Sequence, residues 1–154
     1  MAAKNDLTQP TTDREIICSR VFNVTREKVF QAFSDPNHLA QWWGPKDFTN
    51  VIHEFDFQPG GKWRLTMQSP NGAKFENESQ FVEIVKPERI VFEHLEPVHH
   101  FLMTMTFADH ADKTQLTWRM VFDAVEEVAR IKNFILEANA QNFDRLEAQL
   151  AKLK

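Results

Sequence analysis

Histidines and side-chain amides define the chemistry open to this chain. Imidazole suits proton transfer near neutral pH. His53 alternates with Phe55 and His94 with Phe92, so strand parity aims both at an aromatic face. They are the two candidate acid-base residues. His99 shares parity with Phe101, and Asn77 and Ser79 share it with Phe75 and Phe81. Asn139 lies four residues before Phe143 in a helical stretch. Burying such groups unpaired costs about 1–3 kcal/mol each. A few of them converging on an apolar face is what a small-molecule site requires.

Other chemistries lack support. Three imidazoles can hold zinc, but these come from separate segments with no His-x-His or His-Glu-x-x-His motif. His99 and His100 are adjacent, so on a strand they point to opposite faces. No metal and no cofactor is expected. Cys18 stands in an apolar strand pattern and reads as an inert buried thiol. No Ser/His/Asp or Cys/His pattern is present. Glu76 and Glu78 share outward parity, as do Arg64 and Arg119 on other strands, which describes a cross-strand charge ladder, not a catalytic carboxylate pair. Pro59-Gly60-Gly61 lacks the Lys-Ser/Thr of a phosphate loop and precedes a strand. The chain is better equipped to bind than to catalyse.

The walls of such a site would be aromatic and thioether. The sequence holds 14 Phe and 4 Trp but no Tyr, so its rings bring almost no hydroxyl chemistry. Parity puts Trp63, Leu65 and Met67 on the apolar face of one strand and Phe101, Met103 and Met105 on that of another. Phe55, Phe81, Phe92 and Trp118 join them from further strands, and Ile135 from the helix. Trp43 is placed near the mouth. Met adapts to ligands of varied shape.

These residues are positioned by a simple series of elements. Apolar density from Arg14 to Phe22 predicts a strand. Thr25 can cap a short helix bearing Val29, Phe30 and Phe33. Asp35-Pro36 opens a second, through Leu39 to about Trp42. Alternation then predicts six strands between Val51 and Phe122, separated by turns at Pro59-Gly60-Gly61, Pro70-Asn71-Gly72, Lys86-Pro87 and Asp109–Lys113. Asp123 and Glu126 form a capping-box pair before a long helix free of Pro and Gly. Its stripe is Val128, Ile131, Ile135, Asn139, Asn142, Phe143, Leu146, Leu150 and Leu153. Strands joined by short turns are antiparallel, and one long amphipathic helix must cover one face of their sheet. A twisted sheet cannot touch a single helix everywhere, so a pocket is expected between them.

Composition sets the outer bounds. The chain has 154 residues, 42% hydrophobic and 26% charged, with a net charge of −4. That is one domain's worth, with no general attraction for nucleic acid or anionic lipid. No apolar run approaches the ~20 residues that cross a membrane. Residues 1–12 read as a loose polar tail without a signal-peptide core, and 13–154 as one domain. The lone cysteine agrees with a cytoplasmic setting.

Particular segments carry a family likeness. They are Arg20-Val21-Phe22, Val29-Phe30-Gln31-Ala32-Phe33, Asp35-Pro36 and Leu39-Ala40-Gln41-Trp42-Trp43-Gly44-Pro45. Asp56-Phe57-Gln58-Pro59-Gly60-Gly61-Lys62-Trp63-Arg64 follows, then Val82 to Phe92 and Thr114-Gln115-Leu116-Thr117-Trp118. With the element order, they make the chain resemble the START-like (SRPBCC) superfamily, and within it the bacterial homologues of the activator of the heat-shock protein 90 ATPase. The resemblance implies an α+β helix-grip fold, a curved antiparallel sheet wrapped around a long C-terminal helix. It also implies a small hydrophobic or aromatic ligand in the cavity, since relatives bind sterols, lipids, polyketides or plant hormones. Other relatives imply two alternatives, a co-chaperone-like ATPase activator with a chaperone partner, or a polyketide cyclase or aromatase. Monomer and homodimer both stay open, an exposed strand edge being the route to the latter.

Overall fold

Period-two alternation becomes a sheet of seven antiparallel strands. The computed structural model describes residues 12–96 and 99–152. A 3-10 turn at Thr12–Arg14 leads into β1 (Glu15–Phe22), then α1 (Arg26–Ser34) and α2 (Pro36–Trp42). Six strands follow: β2 (Thr49–Phe55), β3 (Lys62–Gln68), β4 (Lys74–Val85), β5 (Arg89–Glu96), β6 (Phe101–His110) and β7 (Lys113–Phe122). Helix α3 (Val125–Lys152) closes the chain. The expected tail lies outside the described residues except Thr12, as does Leu153 at the end of the helical stripe.

The strand order is β1-β7-β6-β5-β4-β3-β2. Neighbours from β2 to β7 are joined by short connections, while β1 returns to pair with β7. Strands β1 and β2 are thus opposite edges, and α1 and α2 carry the chain across between them. Helix α3, about 40 Å long at 1.5 Å per residue, lies in the concave face. It buries Val128, Ile131, Asn139, Asn142, Phe143, Leu146 and Leu150, and half-buries Ile135. This is the helix-grip arrangement.

Local chemistry accounts for the joints. The Asp35 side chain accepts from the Asn37 backbone N–H at 2.9 Å, with Pro36 at the first helical position. In the Pro59-Gly60-Gly61 turn, a Cβ on Gly61 would sit 1.9 Å from the Asp56 carbonyl oxygen, so only glycine fits. The turn also exchanges backbone bonds with β4, from Gly60 N–H to Phe81 O at 2.8 Å and from Phe81 N–H to Gly61 O at 2.9 Å.

Two local expectations are corrected. Asp123 does not form a capping box, because α3 begins at Val125 and the Asp123 carboxylate instead meets His100 Nδ1 at 2.9 Å. His53 does not face inward. A bulge between Ile52 and Glu54 leaves His53 as the extra residue of β2, so Ile52 and Phe55 oppose Leu65 and Trp63 on the inner face. His53 is exposed, with Nε2 2.7 Å from Thr66 Oγ1, and Thr66 donates to Glu76 at 2.9 Å. The solvent face otherwise carries the charge ladder, with Arg64–Glu54, Lys62–Glu78 and Arg119–Glu15 pairs.

Candidate ligand cavity

The inner face is organised in rows that cross the sheet. Register places Trp63 opposite Ser79, Ser79 opposite His94, His94 opposite Phe101, and Phe101 opposite Phe122. The next row inward runs Phe81, Phe92, Met103, Met120. The row outward pairs Leu65 with Asn77, and beyond it Met67 with Phe75. Helix α3 covers these rows but does not fill the space above them. A cavity of about 380 Å³ remains between the sheet, the Trp43–Phe48 loop and the middle of α3.

Most expected residues meet there. Trp43, Trp63, Leu65, Met67, Phe92, Phe101, Met103, Trp118 and Ile135 line it, with Asn77, Ser79, His94 and Asn139 as polar groups. Three expected wall residues do not. Phe55 and Phe81 are on the inner face, but they pack with Phe57 and Trp63 into an aromatic cluster under the Pro59-Gly60-Gly61 turn. Met105 is 2% exposed in the main core, cross-strand from Ile90 and Trp118. Parity selects the face but not the position along it. His53, on the outer face, is also absent from the cavity.

Trp43 lines the cavity and is half-buried. Its ring lies 5.0 Å from Trp63 and 5.6 Å from Trp118, centroid to centroid, and so bridges two strands. Trp42 is core, and its Nε1 donates to the Ala32 carbonyl at 3.0 Å. The Trp43 carbonyl accepts from Asn50 Nδ2 at 2.8 Å and Arg145 Nη1 at 3.0 Å. Arg145 also donates to Gly44 O, Pro45 O and Gln41 O at 3.1, 2.9 and 3.1 Å. One guanidinium therefore ties the Gln41–Pro45 segment to α3. Burial lowers the pKa of Arg145 from its ordinary value, while the charge of Asp47 acts to raise it. Gly44 sits at φ +101°, where a Cβ would come 2.7 Å from Met67 Cε.

The mouth is aromatic. Phe134 on α3 is 71% exposed, and Phe75 stacks on Phe48 with centroids 6.4 Å apart. Inside, the polar groups lie in two places. Ser79 Oγ is 3.4 Å from His94 Nδ1, long for a hydroxyl–imidazole bond, and His94 stacks on Phe101 at 4.8 Å. His99 enters beside them, its Nδ1 held by Glu127 from α3. Across the cavity, Asn139 Nδ2 faces two weak acceptors, Cys18 Sγ at 3.4 Å and Met120 Sδ at 3.5 Å. Trp63 Nε1, Trp118 Nε1 and Asn142 Oδ1 are buried with no hydrogen-bond partner among the described residues. Among the described residues, no carboxylate lines the cavity directly.

Among the described residues, no group of three or more His, Cys, Asp or Glu is arranged to hold a metal ion. His100 shows why proximity is not enough: Glu93 and Asp123 meet opposite ring nitrogens and cannot converge on one ion.

A family model described as "Activator of Hsp90 ATPase homolog 1-like protein" matches residues 23–152. The chain belongs to this family. Solved structures extend the likeness to the whole fold. A protein of Nitrosomonas europaea aligns with a TM-score of 0.85 at 19% identity, over 95% of this chain and 99% of that one. A protein of Arthrobacter aurescens gives 0.85 at 21%, over 94% and 90%. The AHSA1 protein of Silicibacter pomeroyi gives 0.74 at 21%, over 91% and 99%. At these identities the structures establish the fold and nothing finer. No curated protein sequence matches the chain. Family membership and the helix-grip fold agree with a domain built around a ligand cavity. Among the described residues, no helix is long and apolar enough to cross a membrane.

Several cavity residues lie outside the sequence expectations. Phe134 is a large aromatic beside the buried stripe of α3, and an exposed Phe on a helix is itself a signal. Asn142 is a second amide on that stripe. Arg145 carried no signal, because an arginine beside a helical stripe looks like any solvated residue.

Proposed function

We propose that the protein binds one small, mostly apolar ligand of aromatic character in the cavity between the sheet and α3. The observation that carries this is a mostly apolar space of about 380 Å³ on whose walls a few polar side chains converge, those of Asn77, Ser79, His94 and Asn139. An unfilled apolar cavity forgoes packing. A ligand that fills the space recovers that packing and can offer hydrogen-bonding groups to the polar side chains on its walls. The walls favour flat rings, since Trp63, Phe92 and Trp118 present aromatic surfaces and Met103 a polarisable one.

Native mass spectrometry of freshly purified protein tests this by looking for a carried-over small molecule. Thermal unfolding with candidate ligands is the companion measurement. A ligand at a hundred times its Kd should stabilise the fold by about 2.7 kcal/mol. If no carried-over molecule is found and no aromatic ligand raises the melting temperature, the reading fails.

A second reading is an interaction module, as the family's description of an ATPase activator suggests. The exposed aromatics Phe134 and Phe75 at the rim favour it. It predicts stimulation of a chaperone ATPase, reduced by F134S. A cyclase-like role has less to stand on. With His53 outside the cavity, the two candidate acid-base residues cannot act on one substrate, which leaves the imidazoles of His94 and His99 on its wall.

A further inference from the structure

His99 and Glu127 form an imidazole–carboxylate pair at the edge of the cavity, and the chain's other features give it a specific task. His99 lines the cavity from the segment before β6, while Glu127 comes from the first turn of α3. The two side chains are 22% and 19% exposed. Glu127 engages Nδ1. A carboxylate accepts only, so it fixes the proton of the neutral ring on Nδ1. Nε2 then carries the lone pair. Among the described residues no group pairs with His99 Nε2.

Resting on the reading of the cavity as a site for an aromatic ligand, we propose that His99 Nε2 is a hydrogen-bond acceptor that selects ligands carrying a neutral hydroxyl donor, a phenol or enol. A ligand that enters expels water from His99. One without a donor leaves the lone pair unpaired, whereas one with an O–H pairs it. Two other ligand classes fit less well. A carboxylate would bring an acceptor to an acceptor. An ammonium would bring a full charge into an apolar space with no carboxylate in direct contact among the described residues. A phenol enters neutral and donates. Glu127 strengthens that bond, because it stabilises the positive character that grows on the ring as the hydroxyl proton approaches Nε2.

The neighbours agree in polarity. Ser79 and His94 stand in adjacent strands on the same side of the cavity, cross-strand from Trp63 and Phe101. The polar end of the ligand would therefore lie towards His94 and His99. Its ring would lie against Trp63 and Met103.

Equilibrium dialysis with 2-naphthol and 2-methoxynaphthalene separates the possibilities. The two share a ring system, and only the first can donate. The wild-type protein should bind 2-naphthol about ten- to a hundredfold more tightly. His99→Phe should abolish that preference while still binding 2-methoxynaphthalene, which also reports that the variant is folded. Glu127→Gln keeps the imidazole but no longer fixes its tautomer, and should reduce the preference severalfold, giving a second route should H99F not fold. Equal binding of both probes by the wild type overturns the inference and leaves the apolar-cavity reading standing. A preference that survives both substitutions does the same. Binding of neither probe overturns both.

Discussion

Arg145 and Trp43, 102 positions apart, meet where the guanidinium Nη1 donates to the Trp43 carbonyl at 3.0 Å. The same side chain reaches three more carbonyls of the loop, so one residue of α3 fixes how Trp43 stands in the cavity wall. R145M should therefore cost about 2–3 kcal/mol in urea unfolding, because it leaves half-buried carbonyls without their charged donor. R145K should recover only about 1 kcal/mol, since an ammonium cannot present the same fork. A loss below about 0.5 kcal/mol for R145M, the range of ordinary surface substitutions, would show that the loop is held by other means.

Gly44 separates conformation from space at the same loop. Its φ of +101° is strained for any side chain, and its would-be Cβ overlaps Met67 Cε at 2.7 Å. G44A should destabilise by about 2 kcal/mol. Adding Met67→Ala removes the overlap but not the backbone strain, so the penalty of G44A measured in that background should largely persist. Its disappearance there would identify crowding as the whole cause.

Ile135 faces the cavity from α3 and is half-buried. Ile135→Trp adds bulk to open space instead of a packed core. Affinity for 2-methoxynaphthalene should fall about tenfold or more, ~1.4 kcal/mol per tenfold, while the melting temperature holds or rises. A lowered melting temperature with unchanged affinity would place the bound probe elsewhere.

His100 supplies a pH test. Burial alone would lower its pKa, but the hydrogen bonds its ring donates to Glu93 and Asp123 and their charges outweigh this, and the net direction is upward from the ordinary value. A histidine whose folded pKa is raised contributes stability that is fully present below its unfolded pKa, about 6.5, and is lost as pH rises through the folded value. The stability difference between wild type and His100→Asn should thus be greatest in mildly acidic solution, above the carboxylate titrations, and should shrink above about pH 6.5. A difference that grows with pH would reverse the assignment.

The fold was legible because its elements depend on period and punctuation. Alternating strands, the Asp35-Pro36 cap and an uninterrupted α3 are local features, and the two short helices emerged with them. The cavity was legible to the extent that parity determines a face. It failed at His53, where a bulge slipped the register by one residue, and at Phe55, Phe81 and Met105, where the face was right but the core filled the position. The tie from Arg145 to the Trp43 carbonyl is a contact no periodicity encodes. The His99–Glu127 pair was equally hidden, since it joins a loop to a helix 28 positions away.

The central claim is that the space between sheet and α3 receives an aromatic ligand. Methyl-resolved NMR during titration with 2-methoxynaphthalene tests it most directly. The account predicts saturable, one-to-one shifts concentrated on Leu65, Met67, Met103, Met120, Ile135 and Ala138, with Val51 and Val82 on the outer face unmoved. Shifts scattered over the surface, or none at those methyls at saturating probe, would contradict it.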